Sequence, residues 1–246
     1  MFKYIVSVSG GKDSTACILW ALENLNKNNL EFVFIDTKWE HELTYKYLDY
    51  LEERLNIKIH RLETIGMLEL CKQKKFMPNR VMRFCTEYLK IKPFNEYLFK
   101  NYIEKNIDFI VIQGVRRFES KKRENTPVFV EIKQIYNRKS FIVKTLYPIA
   151  YWTDKQVFKY LQSKNIEPNP LYKKGFKRVG CFPCVYESKQ SLKLIANEDF
   201  YINRLRNLEK TISTLVGKEV KFFTKKLDYE LMSKSLFEGG IYERSI

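Results

Sequence analysis

The six residues Ser9-Gly10-Gly11-Lys12-Asp13-Ser14 constrain this chain more than any other segment. Residues 3–8 before them alternate and are rich in β-forming side chains, and residues 15–25 after them are apolar at helical spacing. A strand that passes through two glycines into a helix aims backbone N–H groups and the positive helix end at one point, where an anion is favoured. Paired glycines permit the positive φ and close approach that such a nest needs. Lys12 can neutralise phosphate charge, Ser9 and Ser14 can donate hydroxyls, and Asp13 can hold Mg²⁺. The glycine spacing is not that of a Walker loop. The plainer reading, a strand ended by glycines and a helix capped by Ser14 or Asp13, does not explain the whole string in this position.

Strand and helix patterns alternate onward from the loop. Short apolar runs at 31–35 and 57–62 predict strands, and helical periodicity covers 40–55. Residues 64–102 are basic and partly helical, 108–112 predict a strand ending at Gly114, and 128–143 predict a hairpin or loop excursion. Thr153-Asp154-Lys155-Gln156 has the form of a capping box, opening a helix that ends near Asn165, before Pro168 and Pro170. From Glu187 onward the pattern is helical. This order predicts an α/β fold: a Rossmann-like parallel sheet with helices on both faces, plus a helical C-terminal part. The expected domains are 1–185, nucleotide-binding, and 186–246, a helical extension.

At 246 residues the chain can bury a core without disulfide staples. It shows neither a signal-peptide h-region nor an apolar run long enough to span a membrane, so a cytoplasmic location is expected. Its five cysteines are then expected as thiols, metal ligands or redox groups. The formal charge of +15 suggests a polyanionic partner, nucleic acid above all. Lysine supplies most of that charge, 32 residues against 12 arginines, which equally suits a solvated surface.

The six-residue string resembles the pyrophosphate (PP) loop of the adenine nucleotide α-hydrolase superfamily. Four further segments, in order, resemble its phosphoadenosine phosphosulfate (PAPS) reductase branch over residues 1–185. Ile35-Asp36-Thr37-Lys38-Trp39-Glu40 is similar to an Asp-Thr-Gly segment near the nucleotide, with Lys38 in place of glycine. Gly114-Val115-Arg116-Arg117-Phe118-Glu119-Ser120, followed by Arg123, is similar to a Gly-x-Arg…Glu-Ser…Arg element. Asn169-Pro170-Leu171-Tyr172 and Gly175-Phe176 lead into Val179-Gly180-Cys181-Phe182-Pro183-Cys184. The resemblance implies a nucleotide site of Ser9, Gly10, Gly11, Lys12, Asp13, Ser14, Asp36, Thr37, Gly114, Arg116, Glu119 and Ser120. Lys12, Asp13, Arg116 and Arg123 would be catalytic, the two guanidiniums clamping phosphate or sulfate.

In the iron–sulfur members of that branch, a Cys-Cys pair opens a segment ending in Lys-x-x-Pro, and the Cys-x-x-Cys completes four ligands. Here Cys85-Thr86 opens the segment that ends at Lys90-Ile91-Lys92-Pro93. Cys85, Cys181 and Cys184 would offer three thiolates to a 4Fe–4S cluster, one iron keeping an exchangeable ligand. Cys71 could fill the gap without support from its context, and zinc is the competing metal. Cys17 is expected in the core. Reductases of the family attack with a cysteine in a Glu-Cys-Gly-Ile/Leu-His tail, and this tail reads Glu238-Gly239-Gly240-Ile241-Tyr242. The resemblance, with that departure, implies ATP and Mg²⁺ as cofactors. It also implies adenylation of an acceptor (tRNA or the DNA backbone) with pyrophosphate release, and sulfur drawn from a donor such as a cysteine desulfurase. A true PAPS or adenylylsulfate reductase using an external thiol is the alternative, and a non-catalytic nucleotide-binding module a further one. An oligomer is compatible with the sequence, and no membrane partner is expected.

Overall fold

The computed structural model describes residues 2–223, so the Glu238–Tyr242 segment lies outside the described residues. Six strands form one sheet in the order β3-β2-β1-β4-β6-β5: β1 Phe2–Val8, β2 Leu30–Asp36, β3 Ile59–Glu63, β4 Asp108–Ile112, β5 Phe129–Tyr136 and β6 Lys139–Leu146. All pairings are parallel except β5 with β6. The fold is the expected Rossmann-like α/β sheet. Alternation along each strand shows that both faces are covered. Ile5, Val33 and Val111 enter one core with Phe94, Leu98 and Phe99, while Val6, Phe34 and Ile112 enter the other with Ile18, Leu48 and Leu161.

The helices are α1 Lys12–Asn24, α2 Glu42–Leu55, α3 Met67–Lys74, α4 Lys92–Leu98, α5 Asp154–Ser163, α6 Lys189–Ile195 and α7 Asp199–Val216. α4 is the middle of a helical run over 84–103, with widened π turns at Glu87–Ile91 and Phe99–Ile103. The first widened turn lies directly before Pro93, which lacks the N–H of a regular turn. The Thr153–Gln156 capping box is present in both directions. Where the expected bounds differ, the reason is local. α1 begins at Lys12, not at residue 15, because the loop itself winds into its first turn. β3 begins at Ile59, two residues late, after Asn56 ends α2 in a left-handed conformation. The hairpin runs on to Leu146 because β6 joins the sheet beside β4.

α6 and α7 share a third core with Trp39, Leu70, Cys71, Leu89, Leu171 and Phe182. Cys17 is fully buried, as expected. Among the described residues no helix is long and apolar enough to cross a membrane.

Candidate functional site

β1 is paired on one side with β2 and on the other with β4; the chain leaves β1 toward β2 and leaves β4 toward the β5–β6 edge, so the two connections run in opposite directions. That reversal opens a crevice beyond the strand ends, where doubly wound sheets bind ligands. The loop after β1 and the loop after β4 form its walls. Gly10 takes φ +72°, and a Cβ there would lie 2.6 Å from Thr44 Cγ2. A Cβ on Gly114 would lie 2.7 Å from the Asp13 carbonyl carbon, so the two loops touch backbone to backbone. Ser9 and Ser14 are tied Oγ to Oγ at 3.1 Å. Asn169 Nδ2 donates to Gly10 O (3.0 Å), and Lys12 N donates to the Tyr172 hydroxyl (3.0 Å). The 169–172 segment thus braces the loop from outside.

Inside the crevice, buried Arg116 donates from Nε to Asp13 Oδ1 (2.7 Å), from Nη2 to Asp154 Oδ1 (2.7 Å) and from Nη1 to Trp152 O (3.2 Å). Lys12 Nζ reaches Asp154 Oδ1 at 3.0 Å and Asp13 Oδ2 at 3.3 Å. Two cations therefore face one point, and the Asp154 carboxylate stands between them. Burial alone would raise Asp154, but the hydrogen bond and charge of Lys12, then of Arg116, outweigh it and hold the carboxyl below its ordinary value. Its side chain is 67% exposed. Asp154→Asn should therefore tighten pyrophosphate binding about three- to tenfold by calorimetry, because a competing charge is gone. Unchanged or weaker binding would show that Asp154 does not compete for the site.

The structure brings together Ser9, Gly10, Gly11, Lys12, Asp13, Ser14, Gly114 and Arg116. Asp36 and Thr37 lie at the end of β2 and have local partners: Asp36 Oδ1 accepts from Lys38 N and Tyr45 OH (both 2.7 Å), and Thr37 Oγ1 donates to Glu40 Oε1 (2.6 Å). Glu119, Ser120 and Arg123 lie on a surface segment of short helical turns, where Arg123 is ion-paired with Glu119. Both oxygens of Asp13 are engaged by Arg116 and Lys12. Sequence reasoning assigned Asp154 only to the helix cap. Its place at the first turn of a helix beside Lys12 carried no separate signal.

The thiols lie next to the crevice. A Cβ on Gly11 would meet Val179 O at 3.7 Å, two residues before Cys181. Cys181 bridges to Glu40 across an isolated β contact, and its Sγ lies 3.8 Å from Thr37 Oγ1 and 3.9 Å from Glu40 Oε1. Cys85, Cys181 and Cys184 all border the third core, half-buried. Burial pushes the Cys184 thiol up to about 11 and raises Cys85, in each case with a further push from the charge of Cys181. The Lys90 ammonium is raised, chiefly by Cys181. Among the described residues no three His, Cys, Asp or Glu groups are arranged to hold a metal ion. The donor set is nonetheless soft, with a lysine to offset thiolate charge, and suits iron–sulfur chemistry. It suits zinc less. His41 Nδ1 accepts from Leu43 N to cap α2, His60 is exposed on β3, and the Thr86 hydroxyl in the second cysteine's place accepts from Arg83 Nη2 (3.2 Å).

Comparisons with known proteins bear on the family and the fold. The model of the phosphoadenosine phosphosulfate reductase domain matches residues 3–187. The chain is 35% identical to "Uncharacterized protein MJ0066" of Methanocaldococcus jannaschii over 73% of its length, and that match spans 35% of the archaeal protein. It is 29% identical to "Adenosine 5'-phosphosulfate reductase" of Salinibacter ruber, covering 72% of this chain and 65% of that one. The crystal structure of the Candida auris PAPS reductase, a phosphate complex, superposes with a TM-score of 0.53 at 16% identity, over 74% of this chain and 82% of that one; it is similar in fold.

Proposed function

The chain belongs to the phosphoadenosine phosphosulfate reductase domain family, and on that premise we propose that it is an ATP-dependent sulfur-transfer enzyme whose first half-reaction adenylates an acceptor. The observation that carries this reading is the shared wall between cradle and thiols: Gly11 lies against Val179, and Thr37 touches Cys181.

In the first step an acceptor oxygen attacks the α-phosphorus of ATP, and the bond to the bridging oxygen breaks, releasing pyrophosphate. The N–H groups of the 9–14 loop and the Lys12 ammonium hold the departing phosphates. Arg116 turns its fork from Asp13 and Asp154 to the oxygens on which charge grows. Asp13, once released, is the residue that would hold Mg²⁺. Arg123 would join from the outer side after leaving Glu119. Ser9 and Ser14 fix the loop, and Gly10, Gly11 and Gly114 keep its wall free of side chains.

Cys85, Cys181 and Cys184 would hold an iron–sulfur cluster, which when bound supplies an exchangeable iron position for carrying sulfur. A cysteine desulfurase would supply that sulfur. The acceptor is read as nucleic acid from the +15 charge. Sulfonucleotide reduction is the second reading, favoured by the relative named for it, whereas this sequence has no cysteine after Cys184 to serve as a reductase's attacking thiol.

Pyrophosphate release from ATP, stimulated by RNA or DNA, is the expected result. A protein that is inert to ATP with every acceptor but liberates sulfite from adenylylsulfate or PAPS would replace the first reading by the second. Anaerobically purified protein is expected to be brown. Cys85→Ala should lose most of its iron and inorganic sulfide while retaining nucleotide affinity within about twofold, since Cys85 packs against the third core and is not one of the groups bonded to Lys12 or Arg116. A colourless zinc protein would end the cluster assignment.

A further inference from the structure

β5 is an edge of the sheet, bordered on one side by β6 alone. Tyr147 N donates to Val128 O at 2.7 Å, in the same register that sets Phe129 opposite Leu146. Antiparallel pairing then turns the N–H and C=O groups of Val130, Ile132, Gln134 and Tyr136 toward β6. Those of Phe129, Glu131, Lys133 and Ile135 point to the free edge. The side chains of the same four residues are exposed, Ile135 at 63% and Phe129 at 46%. Among the described residues no other element hydrogen-bonds to this edge. It is long, lacks proline and bulge, and ends in apolar side chains, the features that leave an edge open to another strand.

We propose that the chain forms a two-fold dimer in which β5 pairs antiparallel with β5 of a second copy, in the register centred on Ile132. The charges select that register. Because the edge-facing residues alternate, the two-fold axis must fall on a residue if edge groups are to meet edge groups. Centring on Glu131 sets Glu131 against itself, and centring on Lys133 sets Lys133 against itself. Centring on Ile132 sets Glu131 opposite Lys133 and Phe129 opposite Ile135, each twice by symmetry. All of these fall at hydrogen-bonded positions, where opposed residues exchange both of their N–H···O bonds. Centres nearer either end pair fewer residues. Lys133, which on a lone edge would guard against pairing, thereby gains a counter-charge. The nucleotide crevice lies between β1 and β4, further into the sheet, so the dimer leaves it open.

Sedimentation velocity on the full chain over about 1–100 µM should show a species of twice the 29.6 kDa chain mass. Lys133→Glu and Glu131→Lys should each weaken the dimer about tenfold or more, since like charges then meet twice. Mixed in equal amounts, the two variants should form a heterodimer, and the double exchange Glu131→Lys/Lys133→Glu should restore the homodimer. Both side chains are exposed, and unchanged circular dichroism would confirm that the variants fold. A wild-type monomer throughout the range overturns the proposal. So does a dimer indifferent to Lys133→Glu, or variants that stay monomeric on mixing.

Discussion

Gly114→Ala is expected to abolish nucleotide binding and to lower stability by about 3 kcal/mol. The added Cβ would lie 2.7 Å from the Asp13 carbonyl carbon, 2.8 Å from its oxygen and 3.0 Å from Ser14 N. All three are backbone atoms of the phosphate loop, so relief requires the β1 and β4 loops to part. Parting them moves Arg116 away from Lys12 and dissolves the anion site. Urea unfolding and calorimetry with ATP test the two halves separately. A variant with wild-type affinity would show that the crevice wall yields without loss. Gly10→Ala is the instructive comparison. Its Cβ meets a side chain, Thr44 Cγ2 at 2.6 Å, which can turn, but the φ of +72° strains any L-residue there.

The second large effect is expected at Arg116. Arg116→Lys keeps one charge and loses the fork that spans Asp13 Oδ1, Asp154 Oδ1 and Trp152 O. Pyrophosphate release should fall about 100-fold or more, as when a pre-aimed donor to developing charge is removed. Affinity for ATP should change far less, because Lys12 and the loop N–H groups remain. A rate within fivefold of wild type would place Arg116 in a structural role and return the phosphate contacts to Lys12 alone. Arg123→Lys should have a smaller effect, since Arg123 is held by Glu119 on the surface.

Much of this site was legible before the fold was known, because it is local. Strand, glycines, lysine and helix are contiguous, and their chemistry follows from backbone geometry at one turn. The Thr153–Gln156 capping box was legible for the same reason. That residues 128–143 form a hairpin and not a loop excursion was not. Its turn is Asn137-Arg138 with φ of 47° and 63°, a two-residue turn without the glycine that normally announces one. Nor was the role of Asp154 legible. A carboxylate one residue past a helix cap reads as a favourable dipole contact, and only the approach of β4's loop sets it against Arg116 as well as Lys12.

The cysteines divide in the same way. Their number and spacing stand in the sequence, and so does the replacement of a fourth ligand by Thr86. What places Cys85 and Cys181 beside one core is long-range packing: the 84–103 helical run, the Trp39–Glu40 turn and α7. Arg204 of α7 stacks on Trp39 at 3.8 Å and donates to Glu40 O, fixing the turn that bridges to Cys181. The sequence by itself determined the sheet's period, the phosphate loop and the ligand inventory, because those depend on neighbours a few residues apart. Only the tertiary structure decided that Lys12 and Arg116 face one point, that Asp154 stands between them, and that the thiols adjoin the nucleotide wall. Those arrangements depend on residues more than a hundred positions apart, held by side-chain packing that no local pattern encodes.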